Sequence, residues 1–171
     1  MKKRFLPPKK RLQSVNEEQV LPIVEKKEVL PPEQRNKYLL IFDLNGTLLL
    51  RKSNKKYLRS NLNPFISECF KIADIAIYTS MLQKNIDLSP IFTKEQQELL
   101  MFVWDRSKTI PDVKGTFAWD TLKDLSEVKD TYNYEKIILI DDSPNKTRNI
   151  DPKEVLICSS FTDINEPEDF L

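Results

Sequence analysis

From Lys37 onward the chain alternates short apolar runs with helix-compatible stretches, the texture of strands and helices packed around a parallel sheet. A first strand is predicted over Tyr38–Asp43. Pro64 then opens a helix through Phe70, with Asn63 as its N-cap and proline in the first turn. A second strand covers Ile75–Thr79. Thr93 and Gln96 fit a capping box for a short helix through about Glu98, and a third strand runs near Leu100–Trp104. A helix over about Leu122–Val128 precedes a fourth strand, Ile137–Asp141, and Val155–Cys158 is the last. No internal repeat is visible.

Two of these strands are apolar runs that end in aspartate. In an open doubly wound sheet, ligands bind beyond the carboxyl ends of the strands, where the strand order reverses. Asp43 and the pair Asp141–Asp142 are therefore expected to converge on one crevice. Capping of a following turn explains either aspartate alone, but explains the set poorly.

Residues 1–36 read differently. They hold five of the eleven prolines, no glycine and no sustained amphipathic period, so they form an extended or disordered arm while residues 37–171 form the domain. Residues 1–37 carry ten Lys/Arg against five Asp/Glu, a net +5 that leaves −4 for the remainder of a chain whose total is +1. Lys2, Lys3, Arg4, Lys9, Lys10 and Arg11 face no acidic residue within the first eleven positions. Such an arm suits nucleic acid or a ribonucleoprotein, an acidic protein surface, or an import receptor, and a solvated terminus fits equally well. Pro8-Lys9-Lys10-Arg11 resembles a nuclear-import signal. The arm lacks the apolar core of a secretory signal, so intracellular residence is the default, with the nucleus slightly favoured over the cytoplasm.

Composition narrows the chemistry further. At 171 residues the chain suits one domain plus a tail. The longest apolar runs are strand-length, far short of a membrane span. Cys69 and Cys158 lack the close spacing of a zinc or redox motif and read as buried free thiols. There is no histidine, which removes Ser-His-Asp and Cys-His catalysis, histidine-containing zinc sites and histidine general bases together. Chemistry must run on carboxylates, lysines, hydroxyls and metal.

Against that background, Ile41-Phe42-Asp43-Leu44-Asn45-Gly46-Thr47-Leu48 resembles the first motif of the haloacid dehalogenase (HAD) superfamily, in which a strand ends in a nucleophilic aspartate. Ile77-Tyr78-Thr79-Ser80 is similar to the second motif, a hydroxyl at a strand end. Leu122-Lys123-Asp124-Leu125-Ser126 resembles the lysine-bearing third, and Leu139-Ile140-Asp141-Asp142-Ser143-Pro144 the acidic fourth. The Lys-Asp-Leu-Ser and Asp-Asp-Ser-Pro strings resemble the branch that includes the RNA polymerase II carboxy-terminal-domain phosphatases and the NLI-interacting-factor-like proteins. The resemblance covers about Lys37 to Phe161 and not the arm.

The resemblance implies a Rossmann-like α/β core with a mainly parallel five-stranded sheet in the order 3-2-1-4-5 and helices on both faces. It also implies a small hairpin flap within Leu48–Leu62 and no large cap domain. It makes Asp43 the nucleophile and Lys123 the charge that neutralises it. Thr79, Ser80 and Lys123 become phosphate ligands. Asp43, the backbone carbonyl of Asn45, Asp141 and Asp142 become the oxygen donors for Mg2+, with Asp142 the more direct ligand and Asp141 orienting Lys123. The flap bases Arg51, Lys52, Lys55, Lys56 and Arg59 either hold an acidic or phosphorylated protein segment or are solvated.

The departure is Asn45. The family's second aspartate protonates the leaving oxygen and later activates water, which an amide cannot do. A phosphatase-fold protein with impaired or absent turnover that binds phosphoprotein or nucleoprotein is the first expectation. An active Mg-dependent phosphoserine/phosphothreonine phosphatase is the second, and an RNA- or ribosome-associated protein held by its arm the third. Oligomeric state is not legible.

Overall fold

The computed structural model describes residues 36–53 and 55–164. The expectations for the basic arm, residues 1–36, therefore fall outside the described residues, apart from its last residue, Asn36. In chain order, β1 is Tyr38–Phe42, β2 Leu49–Lys52 and β3 Lys55–Leu58, followed by helix α1 (Leu62–Ile72) and β4 (Asp74–Tyr78). Helix α2 (Lys94–Leu99) leads into β5 (Val103–Trp104), and β6 (Ile110–Pro111) pairs with β7 (Thr121–Leu122) in a small antiparallel ribbon. Helix α3 (Ser126–Thr131), β8 (Lys136–Asp141), the single-turn α4 (Pro144–Thr147) and β9 (Val155–Ile157) follow.

The central sheet has five strands in the order β5-β4-β1-β8-β9, and every neighbouring pair is parallel. This is the 3-2-1-4-5 order expected. The chain builds outward from β1 through β4 to β5, then returns to the other side of β1 with β8 and β9. The reversal opens a crevice between the carboxyl ends of β1 and β8.

Period-two alternation sends successive side chains of β1 to opposite faces. On one face Phe42, Ile75, Ile77 and Ile140 pack with Ile66 and Cys69 of α1. On the other, Leu39, Ile41, Ala76 and Leu139 pack with Leu125 and with Val128 of α3. Both faces are dry, which explains why β1 and β8 read as nearly unbroken apolar runs.

Local details depart from the sequence expectations in four places. The helix expected to open at Pro64 begins at Leu62, so Asn63 is helical rather than the cap. Pro64 still falls in the first turn, where backbone N–H groups need no intrahelical partner. The third strand is confined to Val103–Trp104, although Met101 N donates to Ile75 O at 2.8 Å and Ile77 N to Phe102 O at 3.0 Å just before it. The helix expected over Leu122–Val128 starts only at Ser126. Leu122 lies in β7 instead, and the Asp124 carboxylate accepts from the backbone N and Oγ of Ser126, marking the helix entrance. Cys69 is buried as expected, whereas Cys158 is only half-buried; both are free.

The Thr93 capping box forms as expected, with Thr93 Oγ1 accepting from Gln96 N and Gln96 Oε1 accepting from Thr93 N. β2 and β3 form the hairpin flap, and among the described residues no cap domain separates β1 from β4. Among the described residues no helix is long and apolar enough to cross a membrane.

Candidate active site

The loop after β1 is shaped by backbone bonds that close it on itself. Leu48 N and Leu49 N both donate to Leu44 O, and Gly46 N donates to Leu49 O at 2.8 Å. Gly46 adopts φ +93°, and a Cβ there would lie 2.2 Å from Asp142 Oδ2. Only glycine permits both the left-handed backbone and the close approach of that carboxylate. Arg59 fixes the outer side of the loop, donating through Nε to Thr47 O at 2.6 Å and through Nη2 to Gly46 O and Ser159 O.

Asp43 follows β1 directly and is 3% exposed, Asp141 ends β8 at 0%, and Lys123 between β7 and α3 is 1% exposed. Lys123 Nζ donates to Asp43 Oδ1 at 2.8 Å and to Asp141 Oδ2 at 2.5 Å, and lies 5.3 Å from the centre of the Tyr78 ring. Lysine is almost never fully buried unless paired, and here two carboxylates and an aromatic face surround one ammonium. The other Asp141 oxygen, Oδ1, accepts from Ser143 N at 2.8 Å, so both of its oxygens are engaged.

One cation cannot neutralise two buried anions. Burial pushes the Asp43 carboxyl above its usual range, and Lys123 only partly pulls it back while Asp141 adds to the rise. Burial also works against the Lys123 ammonium, but Asp43 and Asp141 outweigh it and hold its pKa above the ordinary lysine value. The result is a charged lysine between two acids, with negative charge in excess.

Thr79 and Ser80 follow β4, Asp142 follows β8, and Asn45 lies in the loop after β1. Thr79 is buried just beyond β4, its Oγ1 accepting from Met81 N. Ser80 is half-buried. Asp142 is half-buried too, and receives hydrogen bonds from Ser143 Oγ at 3.3 Å and Ser160 Oγ at 2.6 Å. Asn45 is exposed, and its Oδ1 accepts from Arg51 N at 3.0 Å. Of the flap bases, Arg59 is committed to loop carbonyls and Lys56 pairs with Asp87, which leaves Arg51, Lys52 and Lys55 as the exposed ones.

One residue at the site was not anticipated. Lys146, on α4, donates through Nζ to Ser80 Oγ at 2.8 Å, and its carbonyl accepts from Lys123 N at 2.8 Å. Ser80, Asp142 and Lys146 line an open cleft of about 880 Å³, with Arg106, Arg148 and Trp119 further along its wall. Trp119 stacks on Phe117 at 4.8 Å between ring centres, and both rings are more than half exposed.

A parallel sheet carrying a buried aspartate at the end of its first strand, met there by a lysine and a second strand-end acid, is the arrangement of the HAD phosphatase-type domains. Within that superfamily, the family described as NLI interacting factor-like phosphatase, of the carboxy-terminal-domain phosphatase type, matches residues 38–171. The chain belongs to it. Compared with curated proteins, the chain matches none.

Proposed function

We propose that this domain binds phosphorylated protein segments and turns them over weakly or not at all. The observation that carries the reading is Asn45. In the chemistry that the family resemblance gives Asp43, a carboxylate oxygen attacks phosphorus and the bond to the serine or threonine oxygen breaks. The departing alkoxide needs a proton, and water must later lose one. General acid–base assistance is worth about 100- to 10,000-fold, and the Asn45 amide can neither give nor take that proton.

The rest of the site supports binding. Asp43, Lys123 and Asp141 keep their mutual contacts, and Thr79 and Ser80 stand at the end of β4 on the same side. HAD-family phosphatases generally use Mg2+. Among the described residues no three acidic side chains cluster as a ready cage. Mg2+, however, keeps several waters and takes only one or two carboxylates together with phosphate oxygens. The donors present suit it. Asp43 and Asp142 are hard oxygen ligands, the Gly46 backbone admits Asp142 to the loop, and the cluster carries excess negative charge. These two, with the Asn45 carbonyl, would hold the ion, while Asp141 is spent on Lys123 and Ser143. Bound there, magnesium would screen the repulsion between nucleophile and phosphate.

The cleft is open and carries the exposed Trp119 ring, which suits a flexible protein segment better than a small metabolite. Incubating the full chain with a phosphoserine peptide and magnesium tests the reading. The expected result is a complex without release of inorganic phosphate. Rapid release that Asp43→Asn abolishes would overturn it in favour of an active phosphatase.

A further inference from the structure

The mechanism above leaves Lys146 unused, although its surroundings are those of a ligand-binding group. It is half-buried, where an ammonium loses much of its hydration. Among the described residues it forms no ion pair, whereas Lys123 has two carboxylates and the exposed Arg148 along the same wall has Asp112. An ammonium offers three donors, and one is taken by Ser80 Oγ. The cleft that Lys146 lines with Ser80 and Asp142 is where a further acceptor would come from.

Charge points the same way. Asp43, Asp141 and Asp142 against Lys123 leave two uncompensated negative charges. A divalent cation cancels those and no more, so attraction for a dianion has to come from bases on the cleft wall. Lys146 tips the balance positive. Its position is also built rather than incidental, because its carbonyl receives the amide of Lys123 at 2.8 Å, tying the backbone of the two lysines together.

We propose that Lys146, with Ser80, is a second grip on the phosphoryl oxygens, so that this site holds a phosphate monoester dianion between two lysines. The inference rests on the reading that the cleft takes a phosphoryl group. The two lysines divide the work: Lys123 is locked to the nucleophile, and Lys146 is the one with donors to spare. Such a grip acts on bound phosphate whether or not it reacts, as expected of a site that retains ligand after Asn45 has removed the proton transfer.

The test is calorimetric binding of a phosphoserine peptide with neutral flanking residues, and of inorganic phosphate, to the full chain in magnesium. Wild type, Lys146→Met, Lys146→Arg and Ser80→Ala are compared, with a thermal melt on each. A hydrogen bond to a charged group predicts a loss of about tenfold or more in Lys146→Met, substantial recovery in Lys146→Arg, and a smaller loss in Ser80→Ala at unchanged melting temperature. Equal affinity of Lys146→Met and wild type would overturn the grip and leave phosphopeptide binding standing. Absence of binding by wild type would overturn both. Should Lys146→Met melt early, Ser80→Ala decides, and wild-type affinity there would count against the grip.

Discussion

Two lysine–aspartate contacts in this molecule use the same chemistry and come out opposite. On the flap, Lys56 pairs with Asp87, whose side chain is 49% exposed. Hydrogen bonds from Lys56 and Ser89 bring the Asp87 carboxyl down to about 2. At the sheet's carboxyl edge, Lys123 pairs with Asp43, whose side chain is 4% exposed. There burial drives the carboxyl upward despite the lysine. In water a pair relaxes each partner's charge; in the interior a shared lysine leaves one acid short. The flap pair tethers β3 to the loop that carries Asp87, while the buried cluster keeps negative charge in excess.

Breaking the buried pair should give the largest effect. Lys123→Ala leaves Asp43 and Asp141 facing each other without a cation, and should cost about 3–5 kcal/mol, read as a lowered denaturation midpoint. A midpoint equal to wild type would dissolve the contrast. Gly46→Ala should come next. It forces a Cβ into a left-handed backbone and against the Asp142 carboxylate, at an expected cost of about 1–3 kcal/mol, and magnesium affinity should fall with it.

The smallest effect belongs to the flap. Lys56→Ala should change stability by less than about 1 kcal/mol, while the Asp87 carboxyl climbs from about 2 toward the ordinary range. The sign follows from the depressed value: the contribution of Asp87 is present above its ordinary range and is lost as pH falls toward about 2. Stability of Lys56→Ala should therefore fall less steeply than wild type between about pH 4 and pH 2. Carboxyl-carbon NMR titration checks the Asp87 shift, and an unshifted Asp87 would show that Lys56 is not its cause.

The same division between local and distant causes governs what the sequence disclosed. The convergence of Asp43 with Asp141 and the Thr93 capping box were legible, because apolar runs ending in acids and short side-chain-to-backbone loops are written in adjacent residues, whereas the sheet order came from the family resemblance alone. The start of α1 was not, since Pro64 is tolerated anywhere in a first turn. Leu122 and Leu125 carry a helical spacing, yet Leu122 joined β7 because its pairing with Ile110 is set by a distant segment. Lys146 escaped notice for the same reason: its partner Ser80 lies 66 residues away. Its only local sign was its place two residues after the Asp-Asp-Ser-Pro string. Arg59, legible only as one base among several, turned out to be a structural clamp on the loop after β1.

The central claim is that an otherwise assembled phosphatase site stops at Asn45. Magnesium-dependent hydrolysis of an aryl phosphate by Asn45→Asp beside wild type tests it most directly. A gain of about 100-fold or more is expected, within the range of general acid–base catalysis. No gain in a folded Asn45→Asp protein, or wild-type turnover already as fast, would contradict it.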